Sequence, residues 1–126
     1  MVMYMKSRLN DQEIKCINEL KYFKQYQIKV INLSYSLTES RRDVLEKMRI
    51  SEELNETQEK LKKINRALSV LREDEKKILL TMCGKEFKRR SDAVRYLQKE
   101  LYICRSGIYE GFYRAARDFS NALAVV

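Results

Sequence analysis

The sequence predicts an all-α protein: an N-terminal long helical hairpin or coiled coil, followed by a small trihelical domain. Two observations predict it. Among the 126 residues there is no proline and there are only three glycines, so little interrupts a helix. Apolar residues return at alternating steps of three and four over most of the chain, the period of a helix that buries one face. The length suffices for one domain, or for a small domain with a helical extension.

The N-terminal region, residues 1–71, carries two such stripes. Asn10 and Glu13 have the spacing of a capping box, in which each side chain satisfies a free backbone N–H group at a helix start. From there Cys16, Leu20, Phe23, Tyr26, Val30, Leu33 and Leu37 form one face. Ser34, Ser36, Thr38 and Ser40 lower helix propensity, and a turn is expected at Ser40 to Asp43. In the second helix Ile50, Leu54, Thr57, Leu61, Ile64, Leu68 and Leu71 hold a regular alternation of four and three. Glu52, Glu53, Glu56 and Glu59 precede Lys62, Lys63 and Arg66, the order that suits the helix dipole. Each stripe needs a partner. The two can close on each other as an intrachain hairpin, or Leu54, Leu61, Ile64 and Leu68 can serve oligomerisation as a homodimer. Periodicity does not choose between them.

The second region, residues 72–126, divides into three helices. Glu73, Asp74 and Glu75 open a short helix through Cys83, with Gly84 as its C-terminal cap. A basic loop from Lys85 to Arg90 follows, anchored by Phe87. Ser91 is the expected N-cap of a helix through Leu101. Leu97 and Leu101 make its apolar face, and Ile103 falls in a short turn. The last helix is expected from Cys104 to Ser106 onward, running towards Ala122, with Ile108, Phe112, Ala115, Ala116 and Phe119 inward. Two short helices across a turn, the second presenting basic and hydroxyl side chains, is the layout of a helix-turn-helix. Its use is to hold a helix rigidly enough to enter the major groove of DNA.

The order of an acid-led short helix, a basic loop, Leu97-x-x-x-Leu101-x-Ile103-Cys104-x-Ser106-x-Ile108 and then Ala115-Ala116-x-x-Phe119 resembles the sigma-70 region 4-like helix-turn-helix. It is similar in particular to the phage late-gene transcriptional regulators of the ArpU and RinA type. The motif content covers roughly Leu71 to Leu123, and the N-terminal helices share only a general character. Where that family carries Ser or Thr at the start of the recognition helix, this chain has Cys104, with Ser106 two residues later. Gly107 replaces a β-branched residue, Gln98 a small one, and Gly111 an apolar anchor for which Phe112 substitutes. The resemblance implies a sigma factor-like DNA-binding regulator of phage or prophage genes, most directly an activator. It implies host RNA polymerase as a further partner and the bacterial host cytoplasm as the location.

Charge agrees with a polyanionic partner. The chain holds 26 Lys and Arg against 18 Asp and Glu, a formal net charge of +8. With the apolar face of the last helix inward, Arg105, Ser106, Tyr109, Glu110 and Tyr113 are expected to point outward from its first two turns, and Arg114 follows them. Arg105 suits a bidentate bond to guanine, and Glu110 suits accepting from cytosine. Tyr109 and Tyr113 suit phosphates or thymine methyls. Lys88, Arg89, Arg90 and Arg95 suit phosphate contacts, which position without specifying. The competing reading makes the basic loop a solvated surface and packs the two tyrosines on a neighbouring helix. Gly107 and Gly111 each cost a helix interior ~1 kcal/mol relative to Ala. They fit either a close approach to DNA or tight packing against the preceding helix.

Enzyme chemistry, metals and cofactors are not expected. There is no histidine to act as a general base or zinc ligand, and Cys16, Cys83 and Cys104 are far apart. The glycines are isolated, so no phosphate-cradling loop is formed. No apolar run approaches the ~20 residues of a membrane span, and no leader pattern occurs, which predicts a cytoplasmic protein without membrane contact. Two other classes share the pattern: a small-terminase-like DNA-packaging protein, and a helical protein-interaction adaptor that uses the motif only as fold.

Overall fold

The computed structural model describes residues 9–39, 43–84 and 86–124. Among these residues it is all-α, with six helices and no strand: α1 (Asp11–Leu20), α2 (Phe23–Leu37), α3 (Val44–Ser69), α4 (Glu73–Cys83), α5 (Arg90–Leu101) and α6 (Arg105–Ala124).

The start of α1 is the capping box its sequence predicts. The Glu13 N–H donates to Asn10 Oδ1 at 2.7 Å and the Asn10 N–H to Glu13 Oε1 at 3.0 Å. The long first stripe, however, is two helices rather than one. Lys21 and Tyr22 bond their N–H groups three residues back, to Asn18 and Glu19, and Tyr22 sits at φ −102°, ψ 3°. This single tight turn re-aims the stripe. Cys16, Ile17 and Leu20 are buried in the main core, while Phe23 and Tyr26 only flank it and α2 turns to pack along α3.

The α2–α3 pair is an intrachain hairpin. Lys29 Nζ meets Glu53 Oε1 at 2.8 Å, and Lys60 Nζ lies 5.5 Å from the centre of the Tyr26 ring, so the helices run antiparallel. The expected turn falls on residues 40–42, outside the described residues, and Asp43 caps α3 by accepting from the Glu46 N–H at 2.7 Å. The residues expected to serve oligomerisation are used within the chain. Leu54 and Leu61 are half-buried on the stripe that also carries buried Ile50 and Thr57, and Ile64 and Leu68 enter the core. Thr57 bonds back to the Glu53 carbonyl at 2.9 Å, which is how a hydroxyl fits an apolar seam.

The core is organised around α6, against which α1, α3, α4 and α5 all pack. Ile108, Ala115, Ala116 and Phe119 are fully buried and Phe112 nearly so, as their spacing predicts. The buried cluster draws Leu9, Cys16, Ile17 and Leu20 from the N-terminal end, Ile64 to Leu71 from the end of α3, and the inward faces of α4 and α5. Leu71, where sequence patterning divides the chain, lies inside this cluster. Ser120 Oγ donates to Cys16 Sγ at 3.5 Å across the α1–α6 contact.

Gly84 ends α4 in extended conformation (φ −75°), so handedness does not select it. A Cβ there would stand 2.8 Å from the Leu80 carbonyl oxygen, which does. At Gly111 a Cβ would meet Ile78 Cδ1 at 2.8 Å, and at Gly107 it would meet the Ile103 side chain. Tight packing therefore explains both glycines of α6, although the partners are α4 and the α5–α6 turn rather than α5 itself. Among the described residues, no helix is long and apolar enough to cross a membrane.

Candidate nucleic-acid interface

Two helices begin here with arginine, where the dipole favours an acid. Helix α5 starts at Arg90, and its N-cap is Arg89 rather than the expected Ser91, with no side chain closing the cap. Helix α6 starts at Arg105 and has no acid in its first turn. By contrast α4, whose start lies elsewhere, opens with Glu73, Asp74 and Glu75. Basic starts are unfavourable for the helices themselves. They place an arginine at the start of each, although α5 also carries Asp92 in its first turn.

The two starts converge on one aromatic ring. The Arg90 guanidinium carbon lies 5.6 Å from the centre of the Tyr109 ring and that of Arg105 lies 5.9 Å from it. The ring's negative faces offset the repulsion between two like charges. Tyr109 is half-buried and its hydroxyl is enclosed without a hydrogen-bond partner. Lys88 and Arg89 are exposed in the turn that leads to Arg90. Phe87 anchors that turn, its ring 5.3 Å from that of Tyr96, as the sequence suggests. Lys85, the first residue of the basic loop, lies outside the described residues.

Along α6, Ser106, Glu110 and Arg114 are exposed and recur every four residues, forming one solvent-facing stripe beside Arg105. Arg95 is exposed on α5. Tyr113 is a correction. It is only 9% exposed and sets its ring edge-on to Phe112 at 5.6 Å between centres. The inward face of α6 is wider than its apolar spacing indicates, because four helices surround it. The site thus joins Arg90, Arg105 and Tyr109 directly, adds Lys88 and Arg89 from the turn, and leaves Tyr113 in the core.

One residue of this end escapes a pattern-based reading. Tyr102, the C-cap of α5, takes the left-handed conformation (φ 55°, ψ 41°) and is 93% exposed. A tyrosine there packs on almost nothing and strains its own backbone. Only the absence of a glycine after Leu101 hints at it. Cys104 precedes α6 and its carbonyl accepts the Ile108 N–H at 3.0 Å, which makes it the N-cap. Its exposed thiol is held below the ordinary range, first by the Ser106 hydroxyl at 3.3 Å and then by the Gly107 N–H. Cys83 is the opposite case, pushed up to about 12 by burial and only partly offset by Lys21. Among the described residues, no group of His, Cys, Asp or Glu is arranged to hold a metal ion.

Comparison of the chain with protein-family models, with curated proteins and with solved structures returned no match.

Proposed function

We propose that the protein is a sequence-specific double-stranded DNA-binding transcriptional regulator, in which α5 and α6 act as a helix-turn-helix. Helix α6 would enter the major groove by its N-terminal turns, and the turn before α5 would grip the backbone. The observation that carries this reading is the convergence of Arg90 and Arg105 on Tyr109 at two helix starts that open with arginine. Two guanidinium groups held at one place suit a polyanion. Between Lys85 and Arg117 there are nine basic residues against four acidic ones, so this stretch of the sequence is positive. The sequence resemblance to phage late-gene regulators supports the same reading and suggests an activator that meets RNA polymerase. No catalytic step, metal or cofactor enters it.

The test is a DNA titration at several salt concentrations, after selection of bound duplexes from a random pool. Each phosphate neutralised should contribute about −0.9 to the slope of log K against log salt. Arg105→Ala should cost ~1–3 kcal/mol on the selected site and relax preference at one base pair. Arg89→Ala with Arg90→Ala should weaken selected and random duplexes alike and flatten the slope. Flat salt dependence or no binding removes the proposal. Equal loss on every sequence for Arg105→Ala makes Arg105 a phosphate contact and reverses the assigned docking of α6.

A further inference from the structure

Tyr109 stands between the two arginines of the candidate interface, and its surroundings give it a different task from theirs. It follows Arg105 by four residues on α6, so the two side chains share one face of the helix. Arg90 reaches the same ring from the first residue of α5. The guanidinium carbons lie 5.6 Å and 5.9 Å from the ring centre, both within the range of a cation–π contact. The ring is half-buried and packs against the hydrophobic core, whereas Arg105 is exposed. A ring seated on the core thus holds one arginine from each of two helices.

The hydroxyl group shows what this tyrosine does not do. A tyrosine that bonds to a phosphate or a base edge has to present its O–H to it. The Tyr109 oxygen is enclosed and has no hydrogen-bond partner, so it reaches no DNA while the ring stays in place. Tyr26 is a useful contrast, since it carries Lys60 over its ring but also donates its hydroxyl to Glu19 at 3.0 Å. At Tyr109 the aromatic face alone is in use, and two cations share it.

We propose that Tyr109 is a positioning residue: its ring sets Arg90 and Arg105 in the places from which they meet DNA, without touching the DNA itself. This rests on the DNA-binding reading and names the part of that site that orders the rest. An arginine free in water loses rotamer freedom when it binds, and one already held over a ring loses less. The same contact braces the start of α5 against the second turn of α6, so the two helix starts keep one spacing.

Binding of a duplex selected from a random pool tests it, with phenylalanine, leucine and a series of ring-fluorinated phenylalanines at position 109. Tyr109→Phe keeps the aromatic face and drops the enclosed oxygen, so its affinity should equal that of the parent. Tyr109→Leu keeps an apolar side chain and drops the face, and should bind about two- to fivefold more weakly. Fluorines draw charge from the ring face and leave its shape, so affinity should fall stepwise as they are added while folding is unaffected. In a protein that carries Arg90→Ala and Arg105→Ala together, the same changes at position 109 should leave affinity where it is. A loss for Tyr109→Phe as large as for Tyr109→Leu would make the hydroxyl a direct DNA contact and overturn the proposal. Fluorinated rings that bind like the parent would overturn it too, as would a leucine effect that persists without the two arginines, since both describe a ring that only packs. A parent that binds no duplex removes the DNA-binding reading and this proposal with it, an outcome seen before any variant is made.

Discussion

Phe119 and Ile31 are both large apolar residues on helices, and their surroundings differ completely. Phe119 is fully buried on α6, enclosed by helices that come from both ends of the sequence. Ile31 is 65% exposed on α2, a helix with no fully buried residue at all. The core region is a many-sided contact in which each helix supports the others. The hairpin is a two-helix contact closed on one side only. Stability is therefore concentrated where α6 runs, and Arg105 stands at the start of that helix. That is the requirement for a surface that must hold side chains in register against a partner. The hairpin draws much less from its own packing.

The sharpest way to break this comparison is to delete the two side chains in turn. Phe119→Ala should cost about 3–5 kcal/mol, since it removes a large buried ring and leaves a cavity among packed helices. Ile31→Ala should change stability by no more than about 0.5 kcal/mol in dilute protein. Urea unfolding followed by helical ellipticity measures both. Equal costs would mean that the hairpin and the core share one stability, and the division would be lost.

A smaller effect sharpens what packing demands of α6. Gly111→Ala gains ~1 kcal/mol of helix propensity, yet its methyl group would stand 2.8 Å from Ile78 Cδ1. Ile78 is itself buried, so it has little room to yield, and overpacking typically costs about 1–3 kcal/mol. The expected net result is a destabilisation of ~1 kcal/mol. Ile78→Val removes the offending methyl, so in that background Gly111→Ala should become neutral or favourable. A double-mutant cycle by chemical denaturation reads the coupling directly. If Gly111→Ala stabilises the parent, the glycine is retained for something other than its contact with α4.

How much of this was legible in the sequence follows from what each signal encodes. Periodicity reports that a face is buried and says nothing about its partner. So the inward residues of α6 and the stripe of α3 were readable, while the docking of α1 on α6 was not. Capping chemistry is local, and the Asn10–Glu13 box was readable for that reason. The break at Lys21 and Tyr22 uses neither glycine nor proline and left no mark. Tyr113 was misplaced because a helix surrounded on several sides buries positions that a two-helix contact would expose. At the candidate interface the exposed Lys88, Arg89, Arg95, Arg105, Ser106, Glu110 and Arg114 were readable from helix geometry. The shared ring of Tyr109, by contrast, depends on how two helix starts meet in space.

Tyr102 offers the finest test, because there stability and function should move in opposite directions. Its left-handed backbone costs a side chain-bearing residue about 1–2 kcal/mol, and a ring that is 93% exposed returns almost nothing through packing. Glycine adopts that conformation freely but loses more freedom on folding, by about 0.5–1 kcal/mol. Tyr102→Gly should thus raise stability by roughly 0.5–1 kcal/mol. If the ring is held out as a contact for DNA beside Arg105, the same variant should bind the selected duplex more weakly. Tyr102→Asn separates the two effects, since asparagine tolerates the left-handed region and keeps an ordinary loss of freedom. It should match glycine in binding and fall between the other two in stability. Thermal unfolding and fluorescence anisotropy on the three proteins supply both axes. A variant that gains stability with unchanged affinity would confine the interface to α6 and the turn before α5, and would leave the strain at Tyr102 without a role in binding.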